Sequence, residues 1–149
     1  MRKPVLIILI AGIIEIVDVV FKAAAIRGFK PDSEVLSWPV DLALHKNPGI
    51  TGDTMIPLFI VIPLTIIVIG FLVRFAWMKR KMNVMQAAGA SVVVIGAMGN
   101  LVDRVVNGFT TDYLIFFRLS AINLSDILIV AGAIILIVYN KSIPQSTKQ

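Results

Sequence analysis

The chain contains no cysteine, which rules out disulfides, thiol nucleophiles and thiolate metal centres. It has one histidine, His45. With no second histidine to share an ion, His45 reads as a loop or strand residue rather than a metal ligand. Neither a metal nor a cofactor is expected. No repeat with a period of 20 to 50 residues is visible, so solenoids and propellers are excluded. Charge is scarce, at 15% of 149 residues, against 58% hydrophobic residues and a mean hydropathy of +0.91. Such a chain is too apolar for an ordinary soluble domain. The formal charge of +5 does not indicate nucleic acid, because the basic residues cluster beside apolar segments, where they orient a chain in a membrane.

Four apolar segments, about 4–26, 56–72, 84–106 and 122–139, match crossings of about 20 residues each. They predict an all-α membrane bundle of four transmembrane helices in one domain, residues 1–149. The start resembles a secretory signal, with Arg2 and Lys3, an apolar run to Ile14 and then Ala23-Ala24-Ala25. Against that reading, Glu15, Asp18 and Lys22 fall at spacings of three and four and share one helical face. A signal has no use for such a face, whereas a bundle can turn it inward with Asp18 and Lys22 paired.

Arg2, Lys3, Arg74, Lys79, Arg80, Lys81, Lys141 and Lys148 flank the segments on one side, which predicts cytoplasmic termini and a cytoplasmic middle loop. The connection from Arg27 to Met55 carries Arg27, Lys30 and Lys46 against Asp32, Glu34, Asp41 and Asp53. Having no basic excess, it is placed outside. Within it, Val40 to His45 alternates like a half-buried strand, and Trp38 suits the membrane interface. After the Asn107-Gly108 turn signal, Thr110 to Phe117 is rich in β-branched and aromatic residues and predicts a second strand. The two strands are expected to form a small extracytoplasmic sheet over the mouth of the bundle. The polar stretch 140–149 is expected to be a disordered cytoplasmic tail.

In segment two, Pro57 and Pro63 are tolerable and can kink a membrane helix. In segment three, Gly96, Gly99, Asn100 and Asp103 share a face on which a second helix can approach closely and bond.

Two aspartates, Asp112 and Asp126, stand fourteen positions apart near the outer ends of these segments. Ionisable groups in such surroundings mark functional sites. Two facing carboxylates can share one proton, since like charges about 3 Å apart do not both ionise readily. One then acts as base on a water while the other polarises the carbonyl and protonates the leaving amine. This is peptide hydrolysis without metal or nucleophilic side chain. A plainer reading exists for each residue. Asn-Leu-x-Asp occurs at Asn100 to Asp103 and at Asn123 to Asp126, and the second copy fits a helix cap with its acidic partner three positions on. Asp112 alone is an ordinary strand residue, and Asp103 beside Arg104 reads as a buried structural ion pair. The amides of Asn100 and Asn123 can orient a neighbouring carboxylate, bond between helices or cap them. A rival function is a small non-enzymatic membrane carrier or scaffold, with Glu15, Asp18, Lys22, Asp103 and Asp126 as a polar relay.

Across nearly its whole length the chain resembles signal peptidase II, the lipoprotein signal peptidase family of bacterial membrane aspartyl proteases. GNLVDR at 99–104 resembles the family's GNLIDR-like block, GFTTDYLIF at 108–116 its G-Y-V-x-D-F block and INLSDILIVAG at 122–132 its F-N-x-A-D block. DVVFK at 18–22 resembles the D-x-x-[TS]-K motif, and HKNPGITG at 45–52 the N-x-G-A-A-F loop through Asn47 and Gly49. The resemblance implies that Asp112 and Asp126 are the catalytic pair. It implies that Asn100, Arg104, Asn123, Asn47, Gly49, Asp18 and Lys22 support the pair or bind substrate. The implied substrate is a prolipoprotein cut before a cysteine that carries a diacylglyceryl group, processed by a monomer among lipids of the bacterial cytoplasmic (inner) membrane, with the active site toward the outer face. The chain departs from the pattern at Phe21, in place of a small hydroxyl residue, at Ser125, in place of alanine, and at Ile50-Thr51-Gly52, in place of Ala-Ala-Phe.

Overall fold

The structure is a computed structural model that describes residues 2–32, 39–49, 56–117 and 119–140. Trp38, Ile50-Thr51-Gly52 and the tail beyond 140 therefore lie outside the described residues. In chain order the elements are α1 (Arg2–Gly28), β1 (Val40–Asn47), α2 (Leu58–Lys79), α3 (Val84–Asn107), β2 (Thr110–Phe116), β3 (Ser120–Ile122) and α4 (Leu124–Val138). Three helices, α1, α2 and α3, are long and apolar enough to cross a membrane, and α4 is a shorter apolar helix.

The burial pattern inverts that of a soluble protein. Of the residues in α2 only Val61 is buried, and large side chains such as Phe59, Ile67 and Phe71 face outward. The buried set is mostly small or polar and includes Asp18, Lys22, Asn47, Asn100, Asp103, Arg104, Asp112, Asn123 and Ser125. In hydrocarbon, apolar side chains gain nothing by turning inward, and polar groups must find partners inside the protein.

α3 and α4 make the closest helix contact, and small residues permit it. A Cβ on Gly132 would lie 2.7 Å from the Gly89 carbonyl oxygen and 2.8 Å from the Val93 nitrogen. A Cβ on Gly96 would collide with the Ser125 carbonyl oxygen. α1 lies on the same pair through Ala11, which packs with Val92 and Leu128. α3 ends where Gly108 takes the left-handed conformation, φ 78°, and donates its N–H to the Arg104 carbonyl, the usual glycine stop. The chain turns directly into β2.

The three strands form an antiparallel sheet in the order β1-β2-β3, with His45 opposite Asp112 and Asn47 opposite Thr110, and a register shift between Leu42 and His45. Both expected strands are present, and β1 extends to Asn47. β3 was not foreseen: Ile122, assigned to the fourth apolar segment, belongs to a strand, and helix begins only at Leu124. Three apolar residues beside a helix carry no strand period of their own, and pairing to β2 decides their state. α2 runs to Lys79 rather than the expected Leu72. Arg74 breaks the apolar run but not the helix, since a long basic side chain can reach sideways to the interface.

Candidate active site

Asp112 lies in β2 and is buried, 1% exposed, while Asp126 is in the first turn of α4 and partly open. Three asparagines address them. Asn47, diagonal to Asp112 across the β1–β2 ladder, donates its side-chain amide to Asp112 Oδ2 at 3.0 Å. Asn123 donates its own amide to Asp112 Oδ1 at 2.6 Å. Asn100, on α3, donates to Asp126 Oδ1 at 2.8 Å.

Each amide can point only one way. Asn47 Oδ1 accepts from the Gly49 N–H at 2.9 Å, Asn123 Oδ1 from the Asp126 N–H at 3.0 Å, and Asn100 Oδ1 from Lys22 Nζ at 2.8 Å. A backbone N–H and an ammonium group can only donate, so each asparagine carbonyl is taken and its NH₂ must face an aspartate. Asn123 joins the pair: its side chain bonds Asp112, and its backbone N–H donates to Asp126 Oδ2 at 3.3 Å. The capping box considered above is thus formed, and the same residue reaches the other carboxylate.

The two carboxyl groups differ electrically. Burial pushes the Asp112 carboxyl up to about 6, and the nearby Asp126 charge adds to this, against the bonds from Asn47 and Asn123 that favour the anion. Asp126 sits at the positive end of α4, where a negative charge is favoured. Burial thus makes Asp112 hold a proton to higher pH than a free carboxyl does.

Beneath the pair lies a buried ionic layer. Asp18 and Lys22 pair at 2.9 Å, as expected. Asp18 also accepts from the Leu124 N–H, a free donor at the start of α4, and from the Tyr113 hydroxyl, each at 2.8 Å. Lys22 lies 3.6 Å from Asp103. The expected pairing of Asp103 with Arg104 is corrected here. Successive helix residues point about 100° apart and do not face one another. Asp103 instead accepts from the Thr111 N–H and hydroxyl and from Asn107, at 2.6 Å for the last. Arg104 turns to the other side and donates to the Gly49 carbonyl at 3.3 Å.

Both departures among the described residues have local explanations. Phe21 stacks on Tyr113 with ring centroids 5.4 Å apart. The Ser125 hydroxyl lies 2.7 Å from Asp18 and 3.1 and 3.2 Å from the two Glu15 oxygens. Glu15 fills the space left by Gly99, where a Cβ would overlap it. Tyr113, Thr111 and Ser125 were not singled out as site residues, because a tyrosine, a threonine and a serine carry no signal until a fold sets them against carboxylates. His45 lies in β1 with Nδ1 2.7 Å from an Asp32 oxygen.

The family described as Signal peptidase (SPase) II matches residues 10–141. The chain belongs to the signal peptidase II family. Its members are aspartyl proteases of lipoprotein processing, and the chain is accordingly a membrane enzyme that removes signal peptides from prolipoproteins. It is 30% identical to the lipoprotein signal peptidase of Mycobacterium leprae (strain Br4923), over 92% of this chain and 72% of that one. It is 40% identical to the lipoprotein signal peptidase of Halothermothrix orenii over 55% of this chain and 54% of that one. A solved bacterial membrane enzyme shares the fold, with a TM-score of 0.75 and 24% identity over 93% of this chain and 87% of that one. The carrier reading is not favoured by these matches.

Proposed function

We propose that Asp112 and Asp126 are the catalytic pair of this signal peptidase II. The observation that carries the assignment is their joint attachment to Asn123, which bonds one carboxyl through its side chain and the other through its backbone. Asp112 holds the shared proton and hydrogen-bonds the scissile carbonyl. Asp126 takes a proton from the attacking water, and Asp112 and Asp126 exchange roles as the amine leaves. Asn47, Asn100 and Asn123 hold the carboxyl groups in place. Gly49 and Arg104 tie the loop after β1 to α3, and the Asp18–Lys22 pair fixes Asn100 from below. Hydrolysis of this kind draws on no metal and no cofactor.

The substrate in this reading is a prolipoprotein whose cysteine already carries a diacylglyceryl group, cut on the amino side of that cysteine. The apolar outer surface and the polar site beside the sheet support it, since the acyl chains stay in lipid while the peptide meets water. All four helices cross the bacterial inner membrane as one domain in a monomer. The termini and the α2–α3 loop are cytoplasmic, and the sheet lies on the outer face. Purified enzyme given modified and unmodified forms of one prolipoprotein tests the substrate. Cleavage of the modified form alone, unchanged by EDTA, is expected. Equal cleavage of the unmodified form would overturn the lipid requirement, and loss with EDTA restored by zinc would overturn the chemistry.

A further inference from the structure

At the end of the bundle opposite the aspartates, α1 and α2 each pack against α3 far more than against one another. The gap between them is a groove of about 340 Å³. Ala88 and Ser91 of α3 form its floor, Ile8 of α1 one wall, and Val73 and Trp77 of α2 the other. The Ser91 hydroxyl is satisfied by the Ala87 carbonyl at 2.9 Å, so the floor makes no polar demand.

The mouth has a different chemistry. Arg80, which also lines the groove, lies over Trp77 with its guanidinium carbon 3.2 Å from the ring centroid, at stacking distance. Stacking uses the face of the guanidinium and leaves its N–H edge to bind a partner. Among the described residues no carboxylate pairs with it. Lys79 and Lys81 flank it, and no aspartate or glutamate occurs before Glu15, between Asp53 and Asp103 or after Asp126. Among the described residues every acidic side chain thus belongs to the other part of the bundle.

An apolar slot capped by a forked cation, in a region with no opposing charge, matches one molecule that a membrane always supplies. We propose that the groove is a binding site for an anionic phospholipid, with an acyl chain along Ala88 and Ser91 between α1 and α2 and the phosphate on Arg80. Phosphate accepts paired N–H bonds from a guanidinium, and basic pockets between membrane helices select anionic head groups. The lipid completes the α1–α2 contact that the protein leaves open.

The chain has two tryptophans, Trp38 and Trp77, so a Trp38→Phe protein reports on Trp77 alone. Reconstituted into phosphatidylcholine vesicles, it is titrated with phosphatidylglycerol brominated high on its chains and, separately, with equally brominated phosphatidylcholine. Quenching by the anionic lipid should exceed quenching by the neutral one roughly fivefold at sub-saturating lipid, the scale expected where one basic residue meets an anionic head group. Arg80→Gln should equalise the two. Ser91→Leu, which fills the floor, should reduce quenching by the anionic lipid with Arg80 intact. Equal quenching in the parent protein, a preference that survives Arg80→Gln, or no effect of Ser91→Leu would each overturn the site. None of these readouts depends on peptidase activity.

Discussion

Asn123 serves α4 as its cap and Asp112 as a hydrogen-bond donor, and a serine separates the two roles. Serine caps a helix about as well as asparagine, but its short side chain does not reach Asp112. Asn123→Ser should therefore stay folded while turnover falls by about one to two orders of magnitude, the range typical of lost outer-shell support. The pH dependence gives a sharper readout. In the proposed mechanism turnover requires Asp112 to hold its proton, so activity should fall as pH rises through about 6 in the free enzyme. The Asn123 bond favours the ionised form, so removing it should move that limb to higher pH. An unmoved limb would separate Asp112 from the titration. Stability follows the same sign. The folded protein holds the Asp112 proton more firmly than the unfolded chain, whose value is 3.8, so this contribution is full below 3.8 and is lost as pH rises to about 6. Asp112→Asn does not titrate. Its stability relative to the parent should improve across that window by ~3 kcal/mol, at 1.36 kcal/mol per unit. Thermal unfolding at pH 4 and pH 7 measures the change.

Helices α3 and α4 carry the site's two ends, and their separation is set by glycine. Gly132→Ala would force a Cβ into the Gly89 carbonyl and Val93, and overpacking of this kind costs about 1–3 kcal/mol. Gly70→Ala, where nothing lies within 4 Å, should be neutral or stabilise by about 0.5–1 kcal/mol. Melting temperatures in micelles distinguish the two, and equal effects would mean that the close crossing is absent. The helices were legible because period and hydropathy act along one segment, and the strands β1 and β2 because alternation and an Asn-Gly turn are local too. What the sequence did not disclose depends on partners. β3 is a strand because β2 lies beside it. Asp103 chooses Lys22, Asn107 and Thr111 over its neighbour because helix geometry separates adjacent side chains. Phe21 and Ser125 looked like gaps in a pattern until Tyr113 and Glu15 were set against them. Asp112 and Asp126 were legible as a pair through the motif resemblance, but the common attachment to Asn123 needed coordinates.

At the scale of the whole molecule, the aspartate pair and its asparagines lie by the sheet, whereas Lys79, Arg80 and Lys81 cluster at the α2–α3 turn with no acidic residue between Asp53 and Asp103. This sorting predicts orientation. In a chain without cysteine, Lys46→Cys should react with an impermeant thiol reagent in intact cells and Lys81→Cys should not, whereas the reverse would place the site on the inner face. The sorting also explains why residues from α1, β1, α3, β2 and α4 serve one pair of carboxylates, for no single element could bury and orient both. The decisive measurement is cleavage of diacylglyceryl-modified prolipoprotein by purified Asp112→Asn, Asp126→Asn and the double variant, with helicity and substrate binding checked in each. Asparagine keeps the size and capping ability of aspartate but can neither share the proton nor act as a base. Turnover should fall by orders of magnitude in both single variants and little further in the double, because groups acting as one unit are not additive. Near-normal cleavage by a folded Asp112→Asn or Asp126→Asn enzyme would contradict the shared-proton pair.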